Sequence, residues 1–235
     1  SFCIASKGKV LWEKSYGLGD VENQVLATVD THYRLASISK TFTSILLGSL
    51  VDKGLVSYQD SVYKYVNKSD FPPKQWSGKA VNITIGQLLS HTAGVHVTQI
   101  PNDFSTILHG VTHVSQMIGK FGNETLHFRP GDNFAYSNYG IQLIGAVIEA
   151  VTGKSFPTAM TEFFRNELQL NSTYVETSEL SLHDRARYYQ YLATSAMQVN
   201  APVLTIDELF HYEGWWPAGG LMSTVGDMLH YGNRL

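Results

Sequence analysis

The chain is 235 residues long, 43% apolar, with a formal net charge of −3, enough to bury one large core or two small ones. Its 17 basic and 20 acidic residues are scattered, which argues against nucleic acid as a partner, and the single cysteine, Cys3, excludes an intrachain disulfide framework. No run of 18 apolar residues occurs, so no membrane-spanning segment is encoded.

Residues 2–19 read as two strands, Phe2 to Ser6 and Val10 to Tyr16, joined at Lys7-Gly8 and ended by Gly17 and Gly19. No signal peptide, transit segment or initiating Met precedes them, so the sequence reads as a piece of a longer chain whose address lies upstream. From Arg34 to Leu50, RLASISKTFTSILLGSL places apolar Phe42, Ile45, Leu46 and Leu50 at helical spacing, with Gly54 as the stop. Leu55 to Val66 is rich in turn residues, and Pro72-Pro73 marks a loop. Thr84 and Gln87 have capping-box spacing, so a short helix begins near 85 and stops before Gly94. A helix over 104–119 is compatible with a mixed stretch.

Tyr139 to Val151 is apolar almost all round, which predicts a buried helix stopped by Gly153; a second runs from about Pro157 to Leu168. HDRARYYQYLA, residues 183–193, alternates weakly as a strand would. Pro217-Ala218-Gly219-Gly220 reads as a tight loop, with Ser223 capping a last helix through Met228 and Leu229. Strands confined to the start would leave an unstable two-stranded sheet, so further strands are expected beyond Leu235.

Ser37 and Lys40 are the first chemical candidates. A helix starting here offers Ser37 unpaired N–H groups and a partial positive charge, and Lys40, one turn on, could take the serine proton. S-x-x-K arises by chance about once in a chain this long. It occurs at Ser6 and Ser61 as well, but neither opens an apolar helix. The second constellation is Tyr136-Ser137-Asn138, between the Pro130-Gly131 turn and the buried helix. Tyr beside Lys can act as a general base because the ammonium favours the phenolate, and the Asn138 amide can hold Lys40 or a substrate carbonyl.

Other candidates carry less. No G-x-S-x-G elbow occurs. His109 and His113 stand at metal-gripping spacing without the glutamate of H-E-x-x-H, and no metal is expected. Tyr188, Tyr189, Tyr191, Trp215 and Trp216 suit the core, with one or two left for a cleft. Four N-x-S/T sequons begin at Asn67, Asn82, Asn123 and Asn171, a weak pointer to secretion.

The ordered set YRLASISKTFTS, ITIGQLLSHTAGV, FRPGDNFAYSNYGIQLIGAVIEAVTGKSF and PAGGLMSTVGDMLHYGN resembles the class C-like branch of the serine beta-lactamase and penicillin-binding-protein superfamily over about residues 4–235. HDRARYYQY with WWPAGGLMSTVGDM is most similar to its animal mitochondrial members. The resemblance implies an α+β fold: an antiparallel sheet flanked by helices, with residues 1–40 carrying the nucleophile, 41–210 mainly helical and 211–235 returning towards the sheet.

It further implies a cofactor-free serine hydrolase that acylates Ser37, with Lys40 and Tyr136 sharing the proton work and Asn138 orienting Lys40 and substrate. The Ser37 N–H would form half of an oxyanion hole, a donor worth about 3–4 kcal/mol in such sites. The implied substrate is a peptide or small acyl compound, and the implied setting is mitochondrial lipid metabolism. The alternatives are a filament-forming or homo-oligomeric scaffold, a beta-lactamase or esterase, and a secreted location. The family's third motif, K-T-G or H-x-G on an edge strand, has no counterpart as Lys or His followed by Thr, Ser or Ala and then Gly. The expectation is therefore that this span alone is inactive.

Overall fold

The computed structural model describes residues 1–95, 111–177, 180–192, 203–206 and 214–234. Strands β1 (Phe2–Ser6) and β2 (Lys9–Lys14) form an antiparallel hairpin whose turn residues, Lys7 and Gly8, both have positive φ, the backbone twist that a two-residue hairpin needs. Short strands β3 (Leu18–Asp20) and β4 (Val25–Leu26) pair next, followed by β5 (Tyr33–Arg34). A 3-10 turn over Ala36–Ile38 runs into α1 (Ser39–Asp52), so the expected helix begins two residues after Ser37. Strands β6 (Gln75–Trp76) and β7 (Lys79–Ala80) form a small hairpin before α2 (Ile85–Leu89), where Thr84 and Gln87 make the expected capping box.

Of the helix expected over 104–119, residues 104–110 lie outside the described set, and α3 is limited to Ser115–Ile118. Ser137 caps α4 (Asn138–Thr152), which Gly153 closes in the left-handed conformation as expected. Ser155 caps α5 (Phe156–Phe163), which widens into a π-helical turn over Phe164–Leu168. Then come β8 (Tyr174–Val175), β9 (Tyr189–Leu192) paired with β10 (Val203–Ile206), α6 (Trp216–Gly219), β11 (Leu221–Ser223) and α7 (Val225–Gly232).

Two expectations at the end of the chain are corrected. The Pro217 segment is a helical turn, not an open loop, because Ala218 and Gly219 both donate N–H groups to the Trp215 carbonyl. Thr224, not Ser223, caps α7: its Oγ1 accepts the Asp227 N–H, while the Ser223 hydroxyl is buried and bonded to Thr173 Oγ1.

Helix α4 is the spine. Its residues from Asn138 to Glu149 are all buried, and it packs against α1, α2, α3, α5 and α6. Buried Glu149 receives N–H bonds from Val114 and Phe156, tying the entries of α3 and α5 to α4. Phe42 of α1 stacks on Tyr231 of α7 and meets Phe164 edge-on. Across this core lies an antiparallel sheet ordered β5-β11-β8, joining segments near residues 33, 221 and 174. The fold is thus α+β, with small antiparallel sheets flanked by helices.

Candidate active site

The site is built where β5 ends and α1 begins. Arg34 is fixed from three sides: its guanidinium pairs with Glu176, lies 4.2 Å from the Tyr188 ring centroid, and its N–H donates to the Tyr188 hydroxyl. Burial pushes the Tyr188 phenol up to about 12, so it stays protonated. Leu35 donates its N–H to the Leu221 carbonyl, and the Leu221 N–H returns to Ser39 Oγ. Between these two anchors the chain turns through Ala36 at φ +44°, a left-handed conformation that an alanine adopts only when its surroundings impose it. The turn leaves Ser37 exposed, and among the described residues no carbonyl takes its N–H.

Three of the four residues singled out by sequence converge here. Lys40 Nζ lies 3.1 Å and Tyr136 Oη 2.9 Å from Ser37 Oγ, and the ammonium sits 4.9 Å from the Tyr136 ring centroid. Lys40 is 8% exposed, and burial brings its pKa down to about 8. About one molecule in ten then carries the neutral amine at pH 7. Its other hydrogen bond goes to the Ala218 carbonyl at 2.6 Å. Asn138, buried at the first position of α4, is not among the hydrogen-bond partners of Lys40.

Sequence reasoning missed two supports. The first is the Ala218 carbonyl, presented by α6, which is itself held by a bond from Thr43 Oγ1 to the Pro217 carbonyl. No side chain announces a carbonyl, so only the apolar faces of α1 and α4, against which α6 packs, could have hinted at the packing. The second is His91, whose ring centroid is 4.7 Å from that of Tyr136. The HTAG segment was visible, but not its contacts. The literal H-x-G at His230-Tyr231-Gly232 lies within α7, with His230 exposed and Tyr231 in the core, not on an edge strand. Trp215 and Trp216 are buried, and Tyr189 bonds Glu22. The side chain of Tyr191 and the whole of His109 lie outside the described set, while His113 is exposed. Among the described residues no group of three or more His, Cys, Asp or Glu could hold a metal.

The beta-lactamase family model matches residues 1–235. The chain belongs to the beta-lactamase family. This beta-lactamase-family chain is 26% identical over 294 aligned positions to the human serine beta-lactamase-like protein LACTB, mitochondrial, covering 99% of this chain and 52% of that protein. It is 29% identical to protein flp of Staphylococcus aureus strain MW2, covering 98% of this chain and 44% of flp. It therefore spans about half the length of these curated relatives. Among solved structures, the octameric penicillin-binding protein homologue from Pyrococcus abyssi matches with a TM-score of 0.82 at 25% identity, over 99% of this chain and 51% of the other. FmtA from Staphylococcus aureus matches with a TM-score of 0.78 at 22% identity, over 99% and 58%, a likeness of fold.

Proposed function

We propose that the protein is a serine hydrolase that acylates Ser37 with a peptide or other amide, and that Lys40 and Tyr136 move the protons. The observation that carries this reading is the meeting of Lys40 Nζ and Tyr136 Oη on one exposed hydroxyl oxygen. The pair takes the Ser37 proton as Oγ attacks the carbonyl carbon. When the tetrahedral intermediate collapses, the same proton passes to the departing amine. Water then gives a proton to the pair, attacks the ester and releases the acid, and the proton returns to Ser37. Lys40 Nζ and Tyr136 Oη both touch Ser37 Oγ, so the proton work is shared between them. The exposed Ser37 N–H supplies one oxyanion donor, and Asn138 orients substrate from the start of α4.

Support for an amide substrate is the superfamily likeness. The mitochondrial, lipid-metabolic setting has support only from the animal relatives, and the staphylococcal ones are as similar. A second, compatible reading is self-association, favoured by exposed Phe2, Ile4, Leu11 and Trp12 on the first hairpin and in line with the octameric state of the Pyrococcus homologue.

The test uses the whole protein with a fluorescent penicillin and a fluorophosphonate. Ser37→Ala is expected to abolish covalent labelling and the matching mass increase. Labelling that survives this change sinks the reading. The 235-residue span alone is expected to be inactive and not to label, since no Lys/His-Thr/Ser/Ala-Gly motif occurs in it.

A further inference from the structure

The residue that performs the proton transfer with Lys40 stands on an irregular loop. Tyr136 is 41% exposed and lies outside any strand or helix, yet its hydroxyl must meet Ser37 within a few tenths of an ångström. Four of the described hydrogen bonds that restrain the loop around it come from one short segment, His91 to Gly94, just after α2. Gly131 donates its N–H to the Thr92 carbonyl and His127 donates to the Gly94 carbonyl. Closer in, Ala135 donates to the His91 carbonyl at 2.9 Å, and Ser137 donates to His91 Nδ1 at 3.2 Å. The His91 ring itself faces Tyr136 at 4.7 Å and meets Phe134 edge-on at 5.9 Å. His91 thus holds the residue before Tyr136, the residue after it, and the Tyr136 ring. It does so from a backbone at φ +58°.

We propose that His91 is a positioning residue for Tyr136 and that it works only with Nδ1 unprotonated, because that nitrogen must accept the Ser137 N–H. The inference rests on the Ser37 acylation reading. A proton on Nδ1 would turn an acceptor into a donor facing a donor, release Ser137, and place a second cation near Lys40. The titratable groups facing His91 among the described residues are Lys40 on α1 and Tyr136 on the loop, while α2 and α4 present Leu88 and Gly140. Burial and then Lys40 hold the His91 pKa below its ordinary value, which keeps the accepting form at neutral pH.

The experiment follows the rate of Ser37 acylation by a fluorescent penicillin in the whole protein from about pH 5 to 9. For the parent, log rate against pH is expected to have a slope near one just below the Lys40 ionisation at about 8. The slope steepens towards two at lower pH, where His91 also takes a proton. His91→Asn tolerates positive φ and offers Oδ1 to the Ser137 N–H without titrating. It should stay within about 10-fold of the parent rate and keep a slope of one throughout. His91→Phe keeps a ring but no acceptor, and should lose about 100-fold in acylation. Equal profiles for the parent and the Asn variant, or a Phe variant as fast as the parent, overturn the proposal. Nitrogen-15 NMR of the histidine rings gives a readout independent of turnover. A His91 proton resident on Nδ1, or a pKa at or above the ordinary value, overturns the proposal even if labelling fails, whereas failure of the parent to label at Ser37 overturns only the acylation reading.

Discussion

Burying an ammonium costs free energy that a neutral side chain of similar length does not lose. Lys40 carries that cost, with its pKa brought from the ordinary 10.5 to about 8 by burial. Between those two values the unfolded chain binds a proton that the folded chain has released, so stability rises with pH across the window and the penalty is full below it. Lys40→Met is therefore expected to raise Tm at pH 7 by about 2–4 °C, equivalent to about 1 kcal/mol for a chain of this size, while acylation falls to background. Calorimetry beside a labelling assay checks both. A fall in Tm would mean that the bonds to Ser37 and Ala218 outweigh the buried charge. In the parent, acylation should increase with pH through about 8 as the neutral amine becomes available.

At the scale of elements, α6 reaches Lys40 only because α4 lets it come close. An added Cβ at Gly145 would overlap Pro217 Cγ and lie 3.1 Å from its Cβ. Gly to Ala inside a helix ordinarily stabilises by about 1 kcal/mol, but here the overlap should reverse the sign. Gly145→Ala is expected to destabilise by about 1–2 kcal/mol and to slow acylation, since moving Pro217 also moves the Ala218 carbonyl. Denaturant unfolding with a labelling rate tests this, and a more stable, equally reactive variant would refute the close-packing account. The elements that could be read from the sequence were those whose determinants are local. Lys7-Gly8 can take positive φ at two successive positions, Thr84 and Gln87 cap each other three residues apart, and the apolar run from Ile141 to Val147 has no polar face to expose. The sheet β5-β11-β8 was hidden, because strands of two or three residues have too few positions to alternate and their partners lie far along the chain. Ser37, Lys40 and Tyr136 were legible as residue types with a chemistry. His91 was not, because its part depends on where residues 135 and 137 bring their N–H groups.

At the largest scale, the first hairpin carries exposed apolar side chains in this span. Phe2, Ile4, Leu11 and Trp12 are between 41% and 63% exposed, and unpaired strand edges with apolar side chains invite pairing with other chains. Sedimentation of the 235-residue span is expected to show concentration-dependent association, which Ile4→Lys with Leu11→Lys shifts towards monomer without changing Tm by more than a few degrees. A monomer at every concentration would remove the support for self-association through this face.

The joining of Leu35 and Ser39 to Leu221 also sets an order in time. As the chain emerges, Ser37 is made early, but the left-handed turn at Ala36 lacks both of its anchors until a residue more than 180 positions later arrives, and contacts of such separation form late. A covalent probe of Ser37 would then act as a clock for folding, marking the moment at which the two ends of this span have met.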